Sequence, residues 1–247
     1  MVKEFGTNVK VAMHKLVYEM HSFFESSGVE YAICGGYALD MFAGKTLRTH
    51  GDFDVLIFSE DKQRIIKFMM DNNWLVFGRF MEDGKPITQH LFYKIDDIAN
   101  NYWDDCKNIW AVKADCLPAV LDKIDRIPGE VYTYQSRKWL VQDKLEFIEL
   151  EFDARDDSNY IAREDPKIAR VLDKAILHRD GIPYLAPEII LFYKSDKFSV
   201  ENAYAKPKTE SDFKTIMPML PTESKQWLLD AIAKTYPDGY VWLDELL

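Results

Sequence analysis

Asp52 and Asp54 flank Phe53 in the run Gly51-Asp52-Phe53-Asp54, a spacing that suits two carboxylates to holding a divalent cation. If the run opens a β-strand, alternate side chains share a face. Both acids then point the same way, with Cβ atoms roughly 6–7 Å apart, while Phe53, Val55 and Ile57 point into a core. Two like charges at the start of a buried strand repel each other and resist desolvation. A cation relieves both problems, and oxygen-rich carboxylate sites suit Mg²⁺. Two such ions about 3.5–4 Å apart would clamp the nucleophile and the leaving pyrophosphate of an in-line displacement at phosphorus. The simpler alternative is a D-x-D pair facing water at a strand edge, a common feature of acidic proteins.

Context strengthens the chemical reading. Gly35-Gly36 follows the apolar run Tyr31-Ala32-Ile33-Cys34 and opens a helix, so backbone N–H groups there are open to a triphosphate. A third carboxylate comes from the run Leu145 to Phe152, which reads as a strand. Ile148, Leu150 and Phe152 share the core face, whereas Glu149 and Glu151 share the other, where a solvated face is the plain alternative. Glu149 is preferred as metal ligand or base, with Glu151 as a contact for an acceptor's amines. Arg48 either holds the nucleotide phosphates, as a forked donor does well, or pairs with Asp40. His50 is assigned to hydrogen-bonding a metal-binding carboxylate or the strand backbone. Lys194 is assigned to the triphosphate, against the alternative of a solvated lysine. Lys208 and Asp212 are spaced for a helical ion pair. The tryptophans Trp103, Trp110, Trp139, Trp227 and Trp242 read as core or interface residues.

The elements that must position these groups are legible as patterns. Val9, Met13, Leu16, Met20 and Phe23 recur at helical spacing, and Gly28 follows as a stop. Tyr31 to Cys34 reads as a strand, Tyr37 to Phe42 as a helix closed near Gly44, and Asp52 to Phe58 as a second strand. Ser59 is placed to cap a helix carrying Ile65, Ile66, Met69 and Met70. From Trp74 to Trp139, short apolar runs alternate with turn residues, as strands and loops do. Pro187 suits the first turn of a helix. Thr209-x-x-Asp212 resembles a capping box, and Thr222 is placed to cap a last helix. The fold class expected is α+β, a mixed sheet flanked by helices with a smaller helical C-terminal part. The change of character lies between Asp157 and Gly181, giving a catalytic domain over 1–165 and a helical subdomain over 166–247.

Gly35-Gly36-Tyr37-Ala38-Leu39-Asp40, followed by Gly44, Arg48, His50, Asp52 and Asp54, resembles the opening motif of aminoglycoside and lincosamide nucleotidyltransferases. These belong to the polymerase-β-like nucleotidyltransferase superfamily. Trp110, the strand ending at Phe152, Tyr160, Arg163-Glu164-Asp165-Pro166, Gly181 to Glu188, Lys194, Lys208, Asp212-Phe213 and Trp227-Leu228 extend the likeness over most of the chain, thinly between Asn72 and Trp139. The resemblance implies a nucleotidyltransferase fold, Mg²⁺ on Asp52 and Asp54, Gly35-Gly36 on the nucleotide phosphates, and an acid on the later strand as ligand or base. That acid maps onto Glu149, where better-known members tend to have aspartate.

The bulk composition is compatible with this. The chain of 247 residues is 47% hydrophobic, enough for a full core without disulfides. Its three cysteines form no C-x-x-C pair, and Met1-Val2-Lys3-Glu4-Phe5 lacks a secretion pattern; both point to a cytoplasmic setting. No apolar run reaches the length of a membrane span. The net charge of −10 argues against a nucleic-acid partner and mildly favours a cationic small molecule. The expected enzyme transfers a nucleoside monophosphate, AMP in the first instance, from a nucleoside triphosphate to a hydroxyl of a small acceptor. The alternative is a regulator or toxin–antitoxin component on the same fold, acting on a macromolecule or inactive. The sequence leaves the oligomeric state open.

Overall fold

A computed structural model describes residues 15–80, 90–99, 103–106, 108–127, 129–134, 144–196 and 206–237. The chain folds as two compact units, one of Met1–Tyr37 with Arg48–Asp153, the other of Ala38–Leu47 with Ala154–Leu247.

The first unit is a mixed sheet flanked by helices. Its strands are β1 (Tyr31–Ile33), β2 (Asp54–Phe58), β3 (Leu75–Phe80), β4 (Leu91–Lys94), β5 (Asn108–Val112), β6 (Leu121–Lys123), β7 (Val131–Tyr134) and β8 (Phe147–Arg155). They lie in the order β1-β2-β8-β5-β3-β4-β7-β6. β2 and β8 are parallel; the other neighbours are antiparallel. β2 and β5 sit centrally because they are apolar almost throughout: Val55 to Phe58 and Asn108 to Val112 are all buried, as strands covered on both faces must be. Helix α1 spans 15–25, α3 spans Lys62–Asp71 and the one-turn α4 spans Leu117–Val120. α3 packs on β2 and β3 through Ile65, Ile66 and Met69, all fully buried. Each such side chain contributes about 1.5–3 kcal/mol of apolar burial.

The opposite sheet face carries aromatic residues. Register places Phe77 beside Trp110 and Phe92 beside Tyr132, and with Val112, Tyr134 and Phe147 they form one buried cluster. Trp110 also lies opposite Glu149 on β8, so a single face runs from an aromatic layer into a group of acids.

In the second unit, β9 (Asn159–Ile161) pairs with β10 (Ala169–Val171) and with the end of β8. After the one-turn helix α5 (Leu172–Ala175), β11 (Ile176–Arg179) and β12 (Ile182–Leu185) form a hairpin. Its two-residue loop, Asp180-Gly181, has both φ angles positive, as tight hairpin turns require. Helices α6 (Pro187–Asp196), α7 (Lys206–Ile216) and α8 (Thr222–Thr235) follow. Arg170 and Glu188, both buried, form an ion pair at 2.7 Å, and the Ser224 hydroxyl donates to Glu188 at 2.8 Å. This ties α8 to α6. Strands β10 to β12 therefore precede the helices within 166–247.

Several expected helix ends differ. Ser59 opens a 3₁₀ turn ahead of α3 and donates to the Asp153 carbonyl at 2.9 Å instead of capping. Thr209 is buried inside α7 and caps nothing. Pro221 is the residue before α8, so Thr222 is its first helical residue. α2 (Gly35–Ala43) begins at the glycines themselves and not at Tyr37. Val9, Met13, Trp139 and Trp242 lie outside the described residues.

Candidate active site

Phe53 is the anchor of the acidic pair. Its side chain is buried and stacks on Tyr37, ring centroids 4.2 Å apart and 13° from parallel. Its carbonyl accepts from the Glu149 N–H at 2.9 Å. Asp52 lies in a bend before β2, and the strand starts only at Asp54. Strand alternation therefore does not orient the pair; the pinned Phe53 between them does. Asp54 and Glu149 are register partners across the parallel β2–β8 pair, where neighbouring strands lie about 4.8 Å apart. Asp52, Asp54 and Glu149, all half-buried, each offer an oxygen within 4.8 Å of the others'. The donor set, three hard carboxylate oxygens, fits a hard divalent cation.

Both glycines are sterically necessary here. Gly35 has φ +60°, and a Cβ on it would lie 1.7 Å from Asp54 Oδ2. A Cβ on Gly36 would lie 2.2 Å from His50 Nδ1 and 3.2 Å from Arg48 NH2. The turn thus brings backbone against the carboxylate, the imidazole and the guanidinium together. His50 is buried and its ring also lies 4.7 Å from that of Tyr37. Arg48 donates to the Thr49 carbonyl at 3.3 Å. Asp40 Oδ1 accepts from the Leu47 N–H at 2.8 Å, closing the loop after α2.

Glu149 and Glu151 point to one face of β8, as alternation requires, and both are half-buried. Three residues that sequence patterns did not single out surround them. Arg79 NH1 meets Glu149 Oε1 at 3.2 Å, and Arg79 Nε donates to His90 Nδ1 at 3.1 Å. Asn108 Nδ2 donates to Glu149 Oε1 and to Glu151 Oε1, each at 2.6 Å. A polar residue opening the apolar run Ile109-Trp110-Ala111-Val112 was the available signal for Asn108, and Arg79 interrupts an apolar strand likewise. The field of the acids is felt nearby. Burial first, then Asp54, Glu151, Asp153 and Glu149, push the Cys34 thiol well above its usual range.

Lys194 is in α6 of the second unit, its Nζ 3.0 Å from Asp212 Oδ2. Asp212 thus pairs with Lys194 across two helices. Trp103 and Trp110 are buried core residues. Trp227 is half-buried; its Nε1 donates to the Ala169 carbonyl at 2.9 Å.

Residues 16–128 match the family described as aminoglycoside-2''-adenylyltransferase. The span contains the whole run from Gly35 to Asp54, and it bears out the family resemblance read from those residues. Among solved structures, the chain is similar to the antibiotic-resistance factor ANT(2'')-Ia in solution, at 16% identity over 94% of this chain and 95% of that one, TM-score 0.47. It is similar to ANT(2'')-Ia in complex with adenylyl-2''-tobramycin, at 13% identity over 89% and 98%, TM-score 0.47. The lincosamide antibiotic adenylyltransferase LnuA, lincomycin-bound, is similar at 13% over 80% and 96%, TM-score 0.42. No curated protein sequence matches. No helix among the described residues is long and apolar enough to cross a membrane.

Proposed function

We propose, for a chain whose residues 16–128 match the aminoglycoside adenylyltransferase family, that it is a nucleotidyltransferase moving AMP from ATP to a hydroxyl of a small, amine-bearing acceptor. The observation that carries this reading is the convergence of Asp52, Asp54 and Glu149 within 4.8 Å, with Asp54 directly against the Gly35 backbone at the start of α2. Those three carboxylates would hold Mg²⁺, which when bound supplies charge neutralisation to the phosphates and to the departing pyrophosphate. The first N–H groups of α2 and the Arg48 guanidinium bind phosphate oxygens. The acceptor oxygen forms a bond to the α-phosphorus as the bond to pyrophosphate breaks. Its proton passes to a carboxylate, for which Glu149 is the candidate. Arg79 and Asn108 keep that side chain in one orientation. Glu151, Asp153 and the net charge of −10 favour a cationic acceptor. Lys194 is proposed as a triphosphate contact.

The test is equilibrium binding of ATP with and without Mg²⁺, followed by turnover on a panel of hydroxylated polyamines, for wild type and Asp54→Asn. Mg²⁺-dependent binding and transfer, both lost in Asp54→Asn, are expected. Metal-independent nucleotide binding, or none, would overturn the proposal, and binding without transfer to any acceptor would favour a regulatory protein.

A further inference from the structure

We infer that Asn108 is a positioning residue that assigns different roles to two adjacent glutamates, fixing Glu149 for the metal and holding Glu151 away from it. This role depends on the cation binding proposed for Asp52, Asp54 and Glu149. Asn108 is 5% exposed and lies opposite Glu151 in the β5–β8 register, two pairs along from Trp110 and Glu149. Its single amide nitrogen bonds to Oε1 of both glutamates at 2.6 Å. Ionised carboxylates only accept hydrogen bonds, so the amide must present NH₂ to both, one hydrogen each. No other uncharged side chain of that size supplies two such donors from one atom.

Two donors thus converge on Glu149 Oε1, from Asn108 and Arg79, and neither occupies Oε2. Glu151 does not join the acidic triad, although it shares its face with Glu149. Register sets Glu149 opposite Asp54 and Glu151 opposite Leu56, and the amide between the two like-charged side chains holds each in its place. Without it, two like charges whose Oε1 atoms lie within about 5 Å of one another repel through a half-buried space, and Glu149 keeps only the Arg79 contact to orient it.

The probe is Mn²⁺, titrated against the full-length protein and followed by the electron paramagnetic resonance of the free ion. Partners that orient a metal ligand typically account for about 10–100-fold in metal affinity, and Asn108→Leu, close to isosteric but without donors, is expected to weaken Mn²⁺ binding by that factor. Adding Glu151→Gln to it is expected to restore much of the affinity, because the like charge is gone and a side-chain NH₂ stands beside Glu149 again. Glu151→Gln alone is expected to bind near wild type, and Glu149→Gln to lose binding. In turnover, Asn108→Leu should lower kcat more than it raises the nucleotide KM. Asn108→Ala provides a second, smaller variant, and near-UV circular dichroism from the neighbouring Trp110 reports whether each is folded. The positioning role is overturned if folded Asn108→Leu or Asn108→Ala binds Mn²⁺ as wild type does, or if Glu151→Gln loses binding as fully as Glu149→Gln. A wild-type protein that binds no Mn²⁺ would instead overturn the cation-binding reading itself.

Discussion

Gly35→Ala is the smallest change that separates the site's geometry from its chemistry, because it adds one methyl group and removes no functional atom. That methyl would sit 1.7 Å from Asp54 Oδ2, 2.6 Å from Cγ and 2.9 Å from Cβ. The clash reaches down the side chain, so rotating the carboxylate tip does not relieve it. Asp54 must retreat by roughly 1.5 Å, and a misplacement of about 1 Å in a reacting constellation can cost about 10²-fold in rate. The residue also holds φ +60°, which costs alanine about 1–2 kcal/mol. Overpacking adds about 1–3 kcal/mol. Together these give roughly 2–5 kcal/mol, or about 10 °C in Tm for a chain of this size. Gly181→Ala is the control: φ is +82°, yet nothing lies within 4 Å of its added Cβ. It should lose only the conformational part, a fall of a few degrees, with activity intact. Thermal melts, Mn²⁺ binding and adenylyl transfer on both variants make the comparison. Gly35→Ala with wild-type Mn²⁺ affinity and a Tm equal to that of Gly181→Ala would refute the close approach of Gly35 to Asp54.

Other expectations follow from the same structure. Lys194→Met removes the lysine from its pair with Asp212, 3% exposed at its side chain, and breaking a buried pair from one side costs up to about 3–5 kcal/mol; urea unfolding should show a loss. If Lys194 also serves the triphosphate, the ATP KM of Lys194→Met rises while the double variant with Asp212→Asn regains stability and not affinity. Burial raises the Cys106 thiol from 9.0 to about 11, against the opposing pull of Lys62. A thiol raised on folding contributes stability that is full below pH 9 and is lost as pH climbs toward 11. Denaturant unfolding should therefore find less stability at pH 10.5 than at pH 8, with the decline reduced in Cys106→Ala. All three cysteines are buried with thiols raised by burial, so iodoacetamide at pH 8 should label them only after unfolding.

The acidic motif was readable because its chemistry is local. Asp54, Phe53 and the glycines lie within about twenty residues, and alternation alone assigned Glu149 and Glu151 to one face. Asp52 reached its place by a different route from the one expected, since it precedes the strand and a stacked Phe53 orients it. Arg79 and Asn108 were visible only as polar breaks in apolar runs, with no role attached. Their function is defined by partners 70 and 41 residues away, and only the β5–β8 and β3–β5 registers bring them there. The misread caps share one cause: a threonine or serine followed by helix-forming residues specifies a cap only if the backbone turns there. At Ser59 a 3₁₀ turn intervened, and at Thr209 the helix had already begun. The patterned segments revealed the strands of the first unit more readily than β10 to β12, whose short runs carry little periodicity.

As proposed, the acidic triad directs attack on the α-phosphorus of a nucleotide. The most direct test supplies ATP labelled in parallel at the α- and γ-phosphates, with Mg²⁺ and a hydroxylated polyamine. Only the α-label is expected to move to the acceptor, with one pyrophosphate released per transfer, and chelation or Asp54→Asn should abolish it. Transfer of the γ-label, or α-label transfer undiminished in Asp54→Asn, would contradict that role.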